Sequence, residues 1–171
     1  AAREVTLRVN RAISMARILA KGLHPVELEA NGLMPALEEL AANAEKLHGV
    51  TCRFQHHRDV FIGDTAVATH LYRISQEALN NAIKHGRADR VTIQLDRIDG
   101  LTVLTVRDNG AGIPESMGNR TGMGLRIMEY RARMIEATLE IRRHPEGGTI
   151  VTCAFRSGPP GPPERPSRKH P

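Results

Sequence analysis

The spacing of apolar residues predicts that the chain begins with two helices. Apolar residues recur every three or four positions over residues 5–19, and Gly22 and Pro25 mark the end of this first helix. The same spacing returns from about 27–47 and ends at Gly49, which predicts a second helix. Two helices therefore precede the rest of the chain.

The pattern changes at Val50, after which strand and helix patterns alternate. Short segments in which apolar and polar residues alternate predict strands, and apolar residues three or four positions apart predict helices. The first predicted elements are a strand over 51–56 and a helix over 66–85 that is stopped by Gly86. A hairpin follows, with strands at 91–95 and 101–107 that meet at Asp99-Gly100. The last elements are a helix with Leu125, Met128, Ala132 and Ile135 on one face, and strands over 139–142 and 149–155. This order predicts an α/β (α+β) two-layer sandwich with a mixed, mostly antiparallel sheet, preceded by a helical segment.

Composition divides the chain into three parts. Six of the ten prolines lie in residues 157–171, beside glycines and charged residues, and such a segment cannot bury enough apolar surface to become ordered. We therefore predict a helical segment over 1–49, a globular domain over 50–156, and a disordered Pro-rich tail over 157–171.

The net charge does not indicate a nucleic-acid partner. The formal charge is +5, but residues 156–171 carry +3 of it, so the remaining residues are nearly balanced. Three Phe, two Tyr and no Trp leave little aromatic surface for stacking on bases. We expect no binding to nucleic acid.

Cysteine spacing and hydropathy favour a reducing, aqueous compartment. Cys52 and Cys153 lack the Cys-x-x-Cys spacing of zinc or redox sites, so neither a metal site nor a disulfide framework is predicted. No run approaches the roughly 20 apolar residues of a membrane-spanning helix, and the first residues form no signal segment. We expect a cytoplasmic piece of a longer protein that makes no membrane contact itself, although the parent protein could be membrane-anchored.

Polar residues follow one edge of the long central helix. Asn81, Lys84 and His85 lie four, seven and eight positions after Glu77. At these spacings all four side chains fall on one edge of the helix. A solvated helix face is the alternative explanation for such residues. However, the adjacent Asn80 and Asn81 weaken a helix interior, which suggests that an amide is needed there. An Asn oxygen can ligate Mg²⁺ beside water and phosphate oxygens.

Two glycine-containing segments complete the candidate chemistry. In Asp108-Asn109-Gly110-Ala111-Gly112, the glycines let the backbone approach a flat ligand, and the carboxylate can accept a hydrogen bond from the exocyclic amine of adenine. Read alone, this segment is also an ordinary turn. Gly122-Met123-Gly124 opens the next helix, whose free N–H groups and dipole favour phosphate.

In combination, these segments resemble a known ATP-binding domain. The three segments are Glu-x-x-x-Asn on a helix, Asp-x-Gly-x-Gly after a strand, and Gly-x-Gly at the start of the next helix. They resemble the N, G1 and G2 boxes of the GHKL superfamily, which comprises gyrase, chaperone, histidine-kinase and mismatch-repair ATPases. A narrower resemblance is to sensor histidine kinases that pair with nitrate-response-type regulators. It is carried by residues 71–85, by residues 122–128 with Arg131-Ala132, and by Gly147-Gly148-Thr149. Residues 19–40 are similar to the segment that joins the dimerisation helices of that subfamily to its catalytic domain. The resemblance covers roughly residues 5–155.

The resemblance implies a Bergerat-type ATP-binding fold with ATP and Mg²⁺ as cofactors. It implies that Asn81 holds Mg²⁺ and that Asp108 recognises adenine. It also implies that Glu77 orients the hydration shell of the metal. Glu77 and Asn81 are therefore the candidate catalytic residues. Lys84 and His85 are expected to contact phosphates. The other residues expected to line the nucleotide site are Asn80, Gly110, Gly112, Ile113, Thr121, Gly122, Met123, Gly124, Leu125 and Thr149, with residues 113–121 forming a lid.

A histidine kinase also needs a phosphoacceptor His, which the resemblance does not place in this chain. His24 precedes Pro25 at a helix end, without an adjacent acidic residue, and we interpret it as structural. His56-His57 falls in a predicted strand, and no third ligand suggests a metal site. The expected partners are therefore a separate dimerisation and phosphoacceptor domain, homodimeric in the full-length kinase, and the receiver domain of a response regulator.

Two other functions remain open at this point. One is a different enzyme of the same superfamily, a GHKL ATPase or an anti-sigma serine kinase. The other is a non-catalytic module that senses nucleotide. Phosphoryl transfer to a separately supplied acceptor domain would distinguish a histidine kinase from both.

Overall fold

The computed structural model describes residues 28, 32–113 and 122–156, which form three helices and five strands. Along the chain these are α1 (Leu33–His48), β1 (Thr51–Gln55), α2 (Thr65–Lys84), β2 (Arg90–Ile98), β3 (Leu101–Asp108), α3 (Met123–Met134), β4 (Thr138–Arg143) and β5 (Thr149–Arg156). The predicted order of helices and strands is confirmed over these residues.

The strands form one open sheet in the order β1-β2-β3-β5-β4. β1 pairs with β2 in parallel, and α2 is the crossover between them. The other three pairs are antiparallel, including the β2–β3 hairpin that turns at Asp99-Gly100. The mixed, mostly antiparallel sheet predicted from the sequence is therefore present.

The hydrophobic core lies between the sheet and the helices. Alternate residues of β2, β3 and β5 point toward the helices and are buried, as expected from the two-residue period of a strand. On β2 these are Val91, Ile93 and Leu95, and they lie opposite Asp108, Val106 and Leu104 of β3. α1 packs on β1, α3 packs on β4, and α2 packs between α1 and α3. The structure is thus a two-layer sandwich.

α2 follows its sequence pattern closely. Its apolar stripe, Leu71, Ile74, Ala78, Leu79 and Ala82, is buried along its whole length. Asp64 caps the helix, because its Oδ1 accepts hydrogen bonds from the N–H groups of Ala66 at 2.8 Å and Val67 at 3.2 Å. The cap and the stripe fix the rotation of α2, which in turn decides where its polar edge points.

Two predicted boundaries are wrong. α1 begins at Leu33 and not near residue 27, since Gly32 is its N-cap. Pro35 lies in the first turn, the part of a helix where a residue without an N–H is tolerated. β1 ends at Gln55, so His56 and His57 follow the strand and do not belong to it.

Several predictions concern residues outside those the structure describes. These are the first helix over 5–19, His24, the greater part of the lid (residues 114–121) and the tail over 157–171. Among the described residues, no helix is both long enough and apolar enough to cross a bilayer.

Candidate functional site

The polar edge of α2 supplies two half-buried side chains. Glu77 and Asn81 lie one helical turn apart and are partly enclosed, whereas Lys84 and His85 at the end of the helix are exposed. Asn80 is half-buried beside them. The four predicted edge residues therefore divide into an enclosed pair and a solvent-exposed pair.

Asp108 is a buried carboxylate at the end of β3. It pairs with Val91 in the β2–β3 register, so its side chain lies on the helix-covered face of the sheet, and the residue is only 7% exposed. Its Oδ1 accepts a hydrogen bond from the N–H of Gly110 at 2.8 Å. Since buried carboxylates are costly unless they are hydrogen-bonded, this position indicates a specific requirement for an acceptor.

The loop after β3 rests on the end of α2. The N–H of Ala111 donates to the carbonyl of Gly86 at 2.8 Å, and the N–H of Gly86 donates to the carbonyl of Asn81 at 3.0 Å. A Cβ on Gly110 would overlap the Gly86 carbonyl group, so only glycine permits this approach. These contacts bring the Asp108 loop to the end of the helix that carries Asn81.

Asn109 holds the same loop from its other side, a role that the sequence analysis did not assign. Its Oδ1 accepts from the N–H groups of Asp89 at 3.2 Å and Arg90 at 2.9 Å, and its Nδ2 donates to the Asp89 carboxylate at 2.6 Å. Its backbone N–H also donates to the carbonyl of Arg90 at 3.2 Å. Asn109 therefore ties the loop after β3 to the start of β2, and we call these contacts the Asn109 clamp. Its partners lie 19 and 20 residues earlier in the chain, so no local sequence pattern predicts this role.

Glycines also permit the close approach of the β4–β5 turn. Gly148 has a φ of +85°, and a Cβ there would overlap the carbonyl of Asp108. Gly112 has a φ of +76°, and a Cβ there would come within 2.8 Å of the Gly148 carbonyl oxygen. Thr149, which begins β5 and is half-buried, therefore follows directly on the turn that supports Asp108.

The start of α3 lies against the polar edge of α2. Gly122 is the N-cap and provides no side-chain hydrogen bond to the first N–H groups of the helix. A Cβ on Gly124 would overlap the Glu77 carboxylate and come within 3.2 Å of Asn81 Nδ2. The structure thus places the amide-rich start of α3 beside the two enclosed side chains of α2.

The remaining predicted residues surround these three parts. Met123 and Leu125 are half-buried in the first turn of α3, and Ile113 is half-buried where the described loop ends. Thr121 lies outside the described residues. Within the described residues, the predicted positions converge on one region bounded by α2, the β3 loop and the start of α3.

Donor chemistry limits which metal this region can hold. No group of three or more His, Cys, Asp or Glu side chains that could hold a metal is present among the described residues. One amide and one carboxylate, Asn81 and Glu77, are too few to enclose a metal by themselves. They fit Mg²⁺, which keeps several waters and binds through one or two protein oxygens together with phosphates.

Two clefts among the described residues lie elsewhere and do not mark this region. One is lined by Phe54, Gln55, His56 and His57, and the other lies between the start of α1 and Phe61. Both are at the carboxyl end of β1, and neither includes Glu77, Asn81 or Asp108. The candidate site is therefore identified by its chemistry and not by a cavity.

Comparisons with known proteins give the family. Residues 66–159 match the family described as histidine kinase-, DNA gyrase B- and HSP90-like ATPase. The nitrate/nitrite sensor protein NarX of Escherichia coli (strain K12) is 33% identical over 130 residues, which cover 76% of this chain and 22% of NarX. The histidine kinase domain of a blue-light activated kinase from Erythrobacter litoralis EL346 is 26% identical with a TM-score of 0.59, covering 72% of this chain and 60% of that chain.

A second solved structure supports the fold. The ATP binding domain of PrrB from Mycobacterium tuberculosis has a TM-score of 0.65 at 20% identity, covering 74% of this chain and 95% of that domain. The chain spans about a fifth of the length of NarX, as the 22% coverage states. Because the family model covers more than half of the chain, this chain belongs to the histidine kinase-, DNA gyrase B- and HSP90-like ATPase family.

Proposed function

We propose that this chain carries the ATP-binding catalytic domain of a two-component sensor histidine kinase. The observation that carries the proposal is the convergence of Glu77 and Asn81 with Asp108 and the start of α3. The domain, residues 50–156, transfers the γ-phosphoryl group of ATP to a His on a dimerisation domain. From there the phosphoryl group passes to an Asp on the receiver domain of a response regulator, and similarity to NarX supports a regulator of the nitrate-response type.

Adenine recognition is assigned to Asp108. The buried carboxylate already accepts one hydrogen bond from Gly110 through Oδ1, and a carboxylate has further acceptor capacity for the exocyclic amine of adenine. Gly110, Gly112 and Ile113 form the adjoining wall, where the missing side chains of the glycines let the base approach the backbone. Thr149, which begins β5 after the β4–β5 turn, is assigned to the lining of the same site.

Phosphate binding is assigned to the start of α3 and the end of α2. The N–H groups near Gly122, Met123 and Gly124 lack a side-chain cap, so they are suited to bind phosphate oxygens. Lys84 and His85, exposed within a turn of Asn81, add donors for the same anion. Asn80, Thr121 and Leu125 complete the proposed lining.

Metal binding is assigned to Asn81. Its side-chain oxygen would hold Mg²⁺, which supplies charge neutralisation for the phosphates when bound. Glu77, one turn away and next to Gly124, would orient water around the metal. Residues 1–49 would then comprise the end of a dimerisation helix and a linker helix, and residues 157–171 the Pro-rich tail.

Calorimetric titration with Mg-ATP tests the site. We expect Asn81→Ala and Asp108→Asn to lower affinity at least about tenfold, the effect of losing one strong polar contact. In Asp108→Asn the oxygen can still accept from Gly110, but the new amide group donates where adenine also donates. Asn43→Ala and Asp59→Ala, two exposed positions, are the matched controls. If both site variants bind like the parent protein, the site is wrong.

Phosphoryl transfer tests the activity. This chain alone is expected to bind ATP without stable self-phosphorylation, and to label a separately supplied dimerisation domain that carries an acceptor His. The transfer is expected to be slow, because two separate molecules lack the effective concentration of a tether. Phosphohistidine is acid-labile and survives alkali. Acid-labile label on the isolated chain that disappears in His24→Gln would contradict the structural interpretation of His24.

A further inference from the structure

The two edges of the sheet, β1 and β4, differ in how open they are. On β1 the N–H of Thr51 donates toward β2, to the carbonyl of Asp89 at 2.8 Å, so the next N–H along the strand points outward. That N–H, of Cys52, donates to Glu45 Oε1 at 3.0 Å, and a side chain of α1 thereby partly closes this edge. An edge strand presents N–H and C=O groups that pair readily with a further strand. β4 is therefore the edge at which the sheet is better able to be extended.

The sequence of β4 is complementary to a second copy of itself. Glu140 and Arg142 lie two residues apart on the face of the sheet without helices, and their side chains are 69% and 57% exposed. Within the strand, Arg142 Nε lies 3.8 Å from Glu140 Oε1, and an exposed ion pair of this kind contributes little to stability. In an antiparallel pair of β4 strands centred on Ile141, Glu140 of each copy lies opposite Arg142 of the other. The pairing of opposite charges therefore occurs twice.

α3, the helix that covers β4, carries an exposed apolar stripe. α3 packs on α2 and on β4, and its buried residues Met128 and Ala132 face these elements. Ile127 is half-buried, whereas Tyr130 and Met134 are 62% and 56% exposed. By the helical period these three residues lie on the side of α3 opposite the buried ones, and we call them the α3 stripe. Apolar side chains at spacings of three and four are typical of a helix face that packs on another helix.

A second copy of this chain fits both features at once. Two-fold pairing of β4 continues one sheet through both copies and brings together the two α3 helices that cover this edge. Tyr and Met are enriched at protein interfaces, and the exposed arginines beside the stripe, Arg126 and Arg133, have stems long enough to turn their charges into solvent. We propose that β4 and the α3 stripe form a symmetric interface with a second copy of this chain. None of these residues is assigned to the nucleotide site, so the inference is independent of the proposed function.

Charge reversal followed by sedimentation equilibrium tests the interface. The full chain at about 100 μM is expected to be a dimer that dissociates on dilution, because one strand edge and one helix stripe form a small interface. Glu140→Arg places like charges opposite each other twice, and so does Arg142→Glu. Each variant is therefore expected to dimerise at least about tenfold more weakly. An equimolar mixture of the two variants is expected to recover the dimer, because both cross-strand contacts of the mixed pair join opposite charges.

Two further variants locate the interface on the molecule. Arg53→Glu makes the same change of charge at an exposed position of β1, the other edge, and is the control that is expected to dimerise like the parent protein. Tyr130→Ser combined with Met134→Ser is expected to weaken dimerisation at least about tenfold by removing exposed apolar surface from the contact. All of the substituted side chains are exposed, and circular dichroism checks that each variant is folded.

Several results would overturn the inference. A parent protein that is monomeric at the same concentration has no such interface, and a dimer that survives both charge reversals pairs elsewhere. A mixture that stays monomeric would exclude the pairing of Glu140 with Arg142 across β4. Loss of the dimer in Arg53→Glu would move the contact to β1, and an unchanged dimer in the serine variant would remove α3 from it. Mg-ATP titration of the same proteins reports on the proposed function separately, since Glu140→Arg is expected to bind nucleotide like the parent protein.

Discussion

Gly110 lies directly against the carbonyl group of Gly86, so the loop that follows Asp108 and the end of α2 meet without an intervening side chain. The hydrogen bond from Ala111 to the same carbonyl closes this contact. Two segments that are distant in the sequence are thereby joined by backbone alone. The geometry between Asp108 and Asn81 depends on this junction.

We predict that Gly110→Ala destabilises the protein by about 2–3 kcal/mol, because the new Cβ overlaps backbone atoms that cannot rotate away. Denaturant unfolding measures the change. Gly63→Ala is the control, since its Cβ would meet only Phe61 at an ordinary 3.6 Å. Equal stability of the Gly110 variant and the parent protein would mean that the loop does not rest on α2.

Sequence patterns predicted the elements that depend on local periodicity. The stripe of α2 from Leu71 to Ala82 is buried as expected, because a 3.6-residue period can be recognised within one segment. The apolar spacing predicts a start of α1 that is too early, because the spacing continues before Gly32, whereas Pro35 is compatible only with the first turn of a helix. Periodicity identifies the buried face of a helix better than its first residue.

The candidate site was only partly predictable. Glu77 and Asn81 share an edge because their spacing requires it, whereas the burial of Asp108 follows from the register with Val91, which a single strand does not reveal. The roles of Gly86 and Asn109 as supports depend on partners many residues away. Long-range packing of this kind carries no local pattern, so the candidate site is assigned from resemblance to a family and not from periodicity.

The Asn109 clamp gives a second prediction. Asn109→Ala removes an acceptor for two N–H groups and a donor to Asp89, and we expect a loss of about 1 kcal/mol because the site is exposed. Asn109→Asp keeps the acceptors but sets two carboxylates against each other. Adding Asp89→Asn restores a donor between them, so the double variant should recover stability in urea unfolding. Failure of the double variant to recover would argue against a specific clamp.

A third prediction concerns acid stability at Asp96. Its carboxylate accepts from the His57 N–H at 2.7 Å, from Gln94 Nε2 at 2.7 Å and from the His57 ring at 2.9 Å. Burial alone would raise the pKa of Asp96, but these hydrogen bonds outweigh it and lower the pKa below its ordinary value. A carboxyl group with a lowered pKa in the folded protein contributes stability above its unfolded pKa of about 4, and this contribution is lost as the pH falls through the folded pKa.

Asp96→Asn should therefore cost about 1–2 kcal/mol at pH 7, and its difference from the parent protein should shrink below about pH 4. Thermal unfolding across this range measures both effects. Asp59→Asn is the control, because the Asp59 side chain is 95% exposed. A difference between Asp96→Asn and the parent that is constant with pH would exclude the ionised carboxylate as its source.

Both thiols are predicted to be unreactive in the folded protein. Burial, together with the nearby Glu45 charge, raises the pKa of Cys52 to about 11, and burial raises the pKa of Cys153 to about 12. At pH 8 almost no thiolate is present, so a thiol reagent such as dithionitrobenzoate should react with neither residue until denaturant is added. Rapid modification of one thiol in native buffer would show that its segment opens readily.

Gly124 provides a test in which stability and nucleotide binding should separate. A Cβ at this position meets the Glu77 carboxylate and the Asn81 amide, which are side-chain ends that can move, and not backbone as at Gly110. Alanine also favours a helix over glycine, so Gly124→Ala should leave the melting temperature nearly unchanged. The atoms that must move are the proposed metal-orienting carboxylate and metal-binding amide, so Mg-ATP affinity should fall by about tenfold or more. Calorimetry and thermal unfolding of one preparation measure both quantities.

Two outcomes would contradict this prediction. A variant that melts like the parent protein and binds Mg-ATP equally well would place the nucleotide away from the start of α3. A large loss of stability would show that the side chains of Glu77 and Asn81 are held too rigidly to move aside.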